Sequence, residues 1–392
     1  MKKIILFIST LLFAQTAFSQ EDSRVITTAV PFLLVAADAR SAGMADNGVA
    51  TAADAFSQQW NPAKYAFSLE QQGFTMSYTP YLTALANDIS LGQVTYFNRF
   101  EERMAFAASI RYFGLGEIQY TNQFGELGQT VSPNEFAVDL SYSLKLSERF
   151  SMAVGGRFIS SQLQLPDAVG DASAANTFAV DLAGFYQSEE IAFNDFNGRW
   201  RAGINFQNMG PKINYDNDNS DLNSNFIPAN MRVGGGFDFI LDEYNKVGVN
   251  LEFTKLMVPT PQRLEDVNGD GEINSEDQAI LNAEYNSIGW VQGMFQSFSD
   301  APDGFSEELK EFTYSLGTEY VYQEVFSLRA GYFHESPEKG AREYFSLGAG
   351  FKYNVIKIDV SYLFSTSNVV NPLENTLRFS LTFNFGDTYD EY

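Results

Sequence analysis

The 392-residue chain contains no cysteine and one histidine, His334. Without thiols it has no disulfide framework, thiol nucleophile, Cys-ligated zinc or lipidated cysteine. One imidazole cannot build a His-pair metal site and removes most acid–base active sites. Basic residues are scarce: 25 Lys and Arg stand against 49 Asp and Glu, a formal net charge of −24. That balance argues against a nucleic-acid backbone as partner, because such binding needs clustered cations. No apolar run after the first twenty residues approaches the roughly 20 needed to cross a bilayer as a helix. Charged residues make up only 19% and aromatics 15%, which excludes a disordered chain.

What is present begins with an address. Lys2 and Lys3 precede an apolar run over residues 4–13 and then Ala17-Phe18-Ser19, the pattern of a secretory signal peptide. Residues 1–19 are expected to be removed, leaving Gln20 as the mature N-terminus. The run of about ten is too short for a membrane anchor, so the chain is expected to be exported.

From Phe74 onward apolar side chains recur every second residue. Leu377, Phe379, Leu381, Phe383 and Phe385 point one way while Arg378, Ser380, Thr382 and Asn384 point the other, and Phe136, Val138, Leu140, Tyr142 and Leu144 repeat the pattern. A period of two is a β-strand with one apolar face. Fourteen such segments follow one another, near 74–79, 88–98, 104–112, 136–145, 150–154, 178–182, 200–206, 231–237, 247–253, 312–316, 326–332, 345–351, 356–364 and 377–385. The second changes phase around Gly92, which predicts a bulge. Most segments reach the length of about 10 residues that a tilted strand needs to cross a bilayer, and so many long strands must close to remove their edges. The connections alternate short and long, six short turns and seven longer loops. That pattern fits an outer-membrane barrel with short periplasmic turns, long extracellular loops and both termini inside. A secreted sandwich or propeller would carry a polar outer face; here one phase of strand after strand is nearly free of charge. The expected fold class is therefore all-β, a 14-stranded antiparallel transmembrane β-barrel over residues 73–386, in the outer membrane, with a periplasmic tail at 387–392.

The other phase is charged with both signs. Arg111, Arg157, Arg199, Arg201, Arg232, Arg329, Arg378, Lys352 and Lys357 meet Asp139, Asp181, Asp238, Glu252, Glu319 and Asp359. An unpaired buried charge is costly, so this set reads as a paired network in a filled or narrow lumen; the plainer alternative is solvated porin lining. Gly234-Gly235-Gly236 sits inside a strand, where close packing or a bulge is expected and not a phosphate cradle. His334 falls at a strand's outer end as a rim residue, and Trp200, beside a short turn, suits an interfacial girdle. No arrangement of nucleophile and base is visible, and no enzymatic activity is expected.

Residues 24–67 break the alternation. The small residues from Ala37 through Ala55, followed by Trp60-Asn61-Pro62-Ala63, suit a compact element packed against other backbone, and Pro62 ends any helix before it. Residues 20–72 are expected to form a plug in the lumen, the alternative being a periplasmic tail. The run Thr28-Ala29-Val30-Pro31-Phe32-Leu33-Leu34, then Asp38-Ala39-Arg40, Gly43-Met44, Gly48-Val49-Ala50-Thr51 and Trp60-Asn61-Pro62-Ala63-Lys64, resembles the PorV family, outer-membrane barrels of the Bacteroidetes type IX secretion system within the wider FadL-like group. The Asn-Pro-Ala element is common to FadL-like barrels, whereas the run from Thr28 to Leu34 is the more diagnostic. The resemblance implies a barrel that binds the C-terminal signal domains of secreted cargo. It would take that cargo from the large translocon barrel and pass it to the sortase-like surface attachment machinery. The competing reading is a FadL-type channel for hydrophobic solutes.

The longest loop, 258–308, carries Asp266, Asn268, Asp270, Glu272 and Asp277 at positions one, three, five, seven and twelve of an EF-hand-like loop, with Gly271 at six and Ile273 at eight. Calcium takes six to eight oxygens, and this spacing wraps them around one point. Asp277 stands where Glu is usual, which shortens the reach. The expected cofactor is Ca2+ stiffening an extracellular loop, with a short helix over 278–285 behind it; the alternative is a solvated acidic loop.

Overall fold

A computed structural model describes residues 24–83, 86, 88–121, 127–163, 174–215, 224–367 and 371–389. The expected signal peptide, residues 1–19, lies outside the described residues. Fourteen antiparallel strands close on themselves: β1 Glu70–Pro80, β2 Ile89–Glu101, β3 Met104–Leu115, β4 Asn134–Ser147, β5 Phe150–Gln162, β6 Ala175–Gln187 and β7 Asn197–Met209. The ring continues through β8 Asn230–Ile240, β9 Asn245–Leu256, β10 Phe312–Tyr322, β11 Phe326–His334, β12 Glu343–Tyr353, β13 Ile356–Ser365 and β14 Leu377–Thr388. Neighbours in sequence are neighbours in the wall, and β14 pairs with β1 to close it. All fourteen segments expected from the alternation are strands.

The alternation sets which side of the wall each residue occupies. Exposed large apolar side chains occur on every strand, among them Leu140 at 64%, Phe178 at 65% and Leu328 at 62%. A water-soluble surface seldom carries a continuous apolar patch above a few hundred Å², so this belt is a lipid-facing surface. No described helix is long and apolar enough to cross a membrane; the crossing is made by strands. At Gly92 the expected bulge is absent. Register runs unbroken from Tyr78↔Gly92 to Gly92↔Tyr112, and the shift in that pair of strands comes between Asn98 and Glu101. The apparent change of phase arises because Leu91 and Phe97 point inward, where Leu91 joins the cluster of Val30, Phe32 and Leu33 and Phe97 stacks on Tyr65 at 4.9 Å.

The N-terminal end departs from the expectation that both termini lie on the short-turn side. Arg24 is at the long-loop end, its main-chain N–H donating to the Glu338 carbonyl at 3.1 Å and its guanidinium pairing with Asp303 at 2.5 Å. The chain then runs along the inward face of the strands. It reaches the short-turn end at Ser68, whose carbonyl accepts from Arg99 at 2.5 Å. The C-terminal end is at that same end, Tyr389 N–H donating to Leu69 at 2.7 Å. The path is fixed by polar side chains of the wall that capture main-chain N–H groups: Ser380 takes Ala39, Ser346 takes Ala45, and Glu252 takes both Gly48 and Val49, each at 2.8 Å.

Local sequence explains the segment's shape. Pro31 and Pro62 each open a 3-10 turn, Pro31–Leu34 and Pro62–Phe67, as proline's fixed φ favours at a helical first position. Asp38 caps the one-turn helix α1, Ala39–Ala42, by accepting from Ser41 N–H at 2.7 Å, and its other oxygen takes the Trp60 indole at 2.7 Å. Helix α2, Ser57–Trp60, stops before Asn61-Pro62. Small residues let this backbone approach the wall. A Cβ at Gly331 would lie 2.5 Å from Ala45 N, and one at Gly234 2.7 Å from Val49 Cγ1. Gly234 and Gly236 of the triple glycine therefore serve close packing, with continuous register and no bulge.

Candidate functional site

Inside the wall the charges pair. Arg157 on β5 reaches Asp139 on β4, directly across the ladder, and Asp181 on β6 at 3.1 Å, with Asn208 as a further acceptor. Arg329 pairs with Glu319 at 2.7 Å and Asp359 at 2.8 Å; Arg201 pairs with Asp238; Arg232 pairs with Glu252 at 3.0 Å. The N-terminal segment completes the network. Arg40 spans Asp54 at 2.6 Å and Glu319 at 2.8 Å, Asp46 takes Arg378 at 3.2 Å, and Arg111 donates to the Leu33 carbonyl at 2.9 Å. Lys352 pairs instead with Glu70, toward the short turns, and Arg199 with Glu190. Each of these ions is thus met by an opposite charge or a carbonyl, the condition under which burial is tolerated. This interior presents paired ions, not an apolar path.

Apolar side chains join the ions at the long-loop end. A cavity of about 460 Å³ opens there between the inward faces of β8 to β11 and the first described residues, lined by Val25, Ile26, Leu34, Leu256 and Phe333 together with Arg342, and Asp46, Arg232 and Glu252 also line it. A second, of about 430 Å³, also lies against Thr27 and Thr28, with Leu163, Tyr215 and Asn225. Three helices cover this end: α3 Ser275–Ser287, α4 Trp290–Gln296 and α5 Phe305–Lys310. Tyr285 of α3 donates its hydroxyl to the Pro259 carbonyl at 3.1 Å and packs edge-on to Phe226 at 5.5 Å, which seats the loop on the barrel.

Beneath α5 lies a carboxylate cluster. One oxygen each from Asp300, Glu308 and Glu311 falls within 4.8 Å of the others. Two ammonium groups neutralise it: Lys255 reaches Glu308 at 3.2 Å and also Glu311, and Lys339 bridges Glu311 at 2.9 Å and Glu307 at 2.6 Å. Burial opposes ionisation of Glu307, but hydrogen bonds from Arg24 and Lys339 prevail and hold it at about 2. Asp300, at the edge of the cluster, is pushed up to about 6 by burial, its main partner being the Thr260 N–H at 3.1 Å. This group was not legible in the sequence, because its members come from β9, two loops and the N-terminal end; the only local trace is the run of Glu307, Glu308 and Glu311.

Of the five residues of the EF-hand-like pattern, Asp266, Asn268, Asp270 and Glu272 fall in one exposed turn ahead of α3, while Asp277 lies buried in the first turn of that helix. Asp266 accepts from Gly269 at 2.6 Å and Gly271 at 2.9 Å, Asp270 from Glu272 at 2.8 Å, and Asn268 from Asp270 at 2.9 Å. Asp277 accepts from Val267, Asn268 and Asn274, and those main-chain N–H groups, Asn274 first, hold its carboxyl below the usual range. Gly269 and Gly271 adopt φ of 77° and 88°, the left-handed region open to glycine. Asp266, Asn268, Asp270 and Asp277 are therefore gathered through their own loop's main chain. Glu272 joins by its N–H. Asn274 caps α3, which runs longer at both ends than the expected 278–285. His334 ends β11 as a rim residue, 3.8 Å from Glu343.

Comparison with known proteins gives one family match: a model described as type IX secretion system protein PorV matches residues 18–263. No curated protein matches the chain. Similar solved structures include a Pseudomonas aeruginosa FadL homologue, 12% identical, covering 93% of this chain and 100% of its own, TM-score 0.43. The Pseudomonas putida toluene transporter TodX is 11% identical, covering 87% and 95%, TM-score 0.48. The Ralstonia pickettii toluene transporter TbuX is 11% identical, covering 88% and 97%, TM-score 0.46.

Proposed function

The chain belongs to the PorV family of type IX secretion system proteins, and from this we propose that this outer-membrane β-barrel protein binds the C-terminal signal domains of secreted cargo. It receives cargo from the large translocon barrel and hands it to the sortase-like attachment protein. It works by partner contact and not by bond chemistry, and it reaches the membrane after removal of residues 1–19. Residues 20–72 act as a plug, so that the work is done at the long-loop end, chiefly by the 258–308 loop. Calcium held by Asp266, Asn268, Asp270, Glu272 and Asp277 stiffens that loop.

The observation that carries this reading is the family match over residues 18–263; the paired ions of the interior support it. The second reading, a FadL-type channel for hydrophobic solutes, needs an apolar lining, and Arg157, Arg201, Arg329 and their carboxylates disfavour one. Purified protein in nanodiscs is expected to retain a labelled cargo C-terminal domain, and loss of 266–308 to abolish surface attachment of cargo in cells. Uptake of a hydrophobic solute without cargo binding would favour the channel.

A further inference from the structure

At the long-loop end, residues 25–28 lie between two main-chain anchors. Arg24 N–H donates to Glu338 at 3.1 Å before them, and Ala29 N–H donates to Phe226 at 2.9 Å after them. Between these anchors, the N–H and C=O groups of Val25, Ile26, Thr27 and Thr28 have no partner among the described residues. Their exposure alternates, Val25 and Thr27 exposed, Ile26 and Thr28 half-buried, and none has positive φ. This is the period of an extended chain. The segment forms a rib shared by two cavities, since Thr27, Thr28 and Pro31 line both the one of about 460 Å³ and the one of about 430 Å³.

We infer that residues 25–28 are a strand awaiting a partner, and that an extended segment of the exported polypeptide pairs with them by main-chain hydrogen bonds. The inference rests on the cargo-binding reading above and names the element that does the binding. Unpaired main-chain donors and acceptors in sequence are matched by another strand, about 4.8 Å away, which presents the same groups in complementary order. A single-chain amphiphile would fill the cavities but satisfy none of those groups. Main-chain pairing is nearly blind to side-chain identity, with flanking pockets taking alternate side chains. That suits a protein that must accept many cargoes. The anchors hold the rib without using its hydrogen-bonding groups, since Arg24 is fixed through its guanidinium to Asp303 and Glu307.

The test uses the full mature chain in nanodiscs and the labelled C-terminal domain of one protein exported by the same cell. Successive N–H groups of a strand point to opposite sides, so Thr27→Pro and Thr28→Pro each remove one donor from one side. One of the two is expected to weaken binding on the order of tenfold, the effect of one lost hydrogen bond in a closed interface. Thr27→Ala and Thr28→Ala, which keep the N–H, should stay within about twofold by the same measure. Amide exchange over residues 25–28 of the unmodified protein should slow when the cargo domain binds. Normal binding by both proline variants, or unchanged exchange at those amides in the bound complex, overturns the strand pairing while leaving cargo binding intact. Displacement of the cargo domain by a single-chain detergent with no change in that exchange assigns the cavities to an amphiphile and overturns it too. Failure of the unmodified protein to bind the cargo domain removes the cargo-binding reading and this inference with it.

Discussion

Arg157 holds two carboxylates at once, Asp139 and Asp181, and all three side chains are at least 95% buried. Removing one partner from a buried pair leaves an uncompensated charge, which costs about 3–5 kcal/mol. Arg157→Met should lower the unfolding free energy in urea by that amount, and adding Asp139→Asn and Asp181→Asn should restore more than half. Equal stability of the single variant and the parent would mean that water reaches these groups. Asp300 allows a second test, in the loop. Burial raises it to about 6, above the roughly 3.9 of an unfolded Asp. The stability linked to its protonated form is therefore full below about pH 4 and lost as pH rises through about 6. Glu307, held at about 2, has the opposite sign: its contribution is present above about pH 4.3 and lost as pH falls toward 2. Asp300→Asn should leave proteolysis of the 257–311 loop unchanged at pH 4 and slow it at pH 8; no difference at pH 8 would contradict the burial of Asp300. Neither group was legible in the sequence, because a charge with no nearby partner in the chain says nothing of what lies across a barrel mouth.

The strands were legible because a strand between lipid and a polar interior has a different solvent on each face, and alternation records that directly. Leu91 and Phe97 broke the record for a physical reason: where the N-terminal segment presses apolar side chains on the wall, inward positions become apolar too. The path of residues 24–67 was only partly legible. The small residues and Pro62 foretold a compact element; its start at the long-loop end depends on Asp303, Glu307 and Glu338, which lie hundreds of residues away in sequence. The EF-hand-like loop was read from spacing alone, and its test belongs at this scale. Calcium should slow proteolysis between 266 and 277 relative to chelator, and Asp270→Ala should abolish that difference. Identical digestion in both conditions would leave the loop an acidic turn held by its own main chain.

Taken whole, the molecule separates three environments. Apolar side chains face lipid, paired ions face inward, and acidic charge collects outside, where residues 257–311 hold twelve Asp and Glu against two Lys and Arg. With Arg40, Asp46 and Glu252 tying the N-terminal segment to the wall, the interior is expected to carry no passage, and the proposed binding falls at the outer mouth. Planar-bilayer recording of the purified mature protein tests this most directly. The expected result is a bilayer current no higher than that of protein-free lipid. A steady, ohmic current that scales with the number of inserted barrels would contradict it.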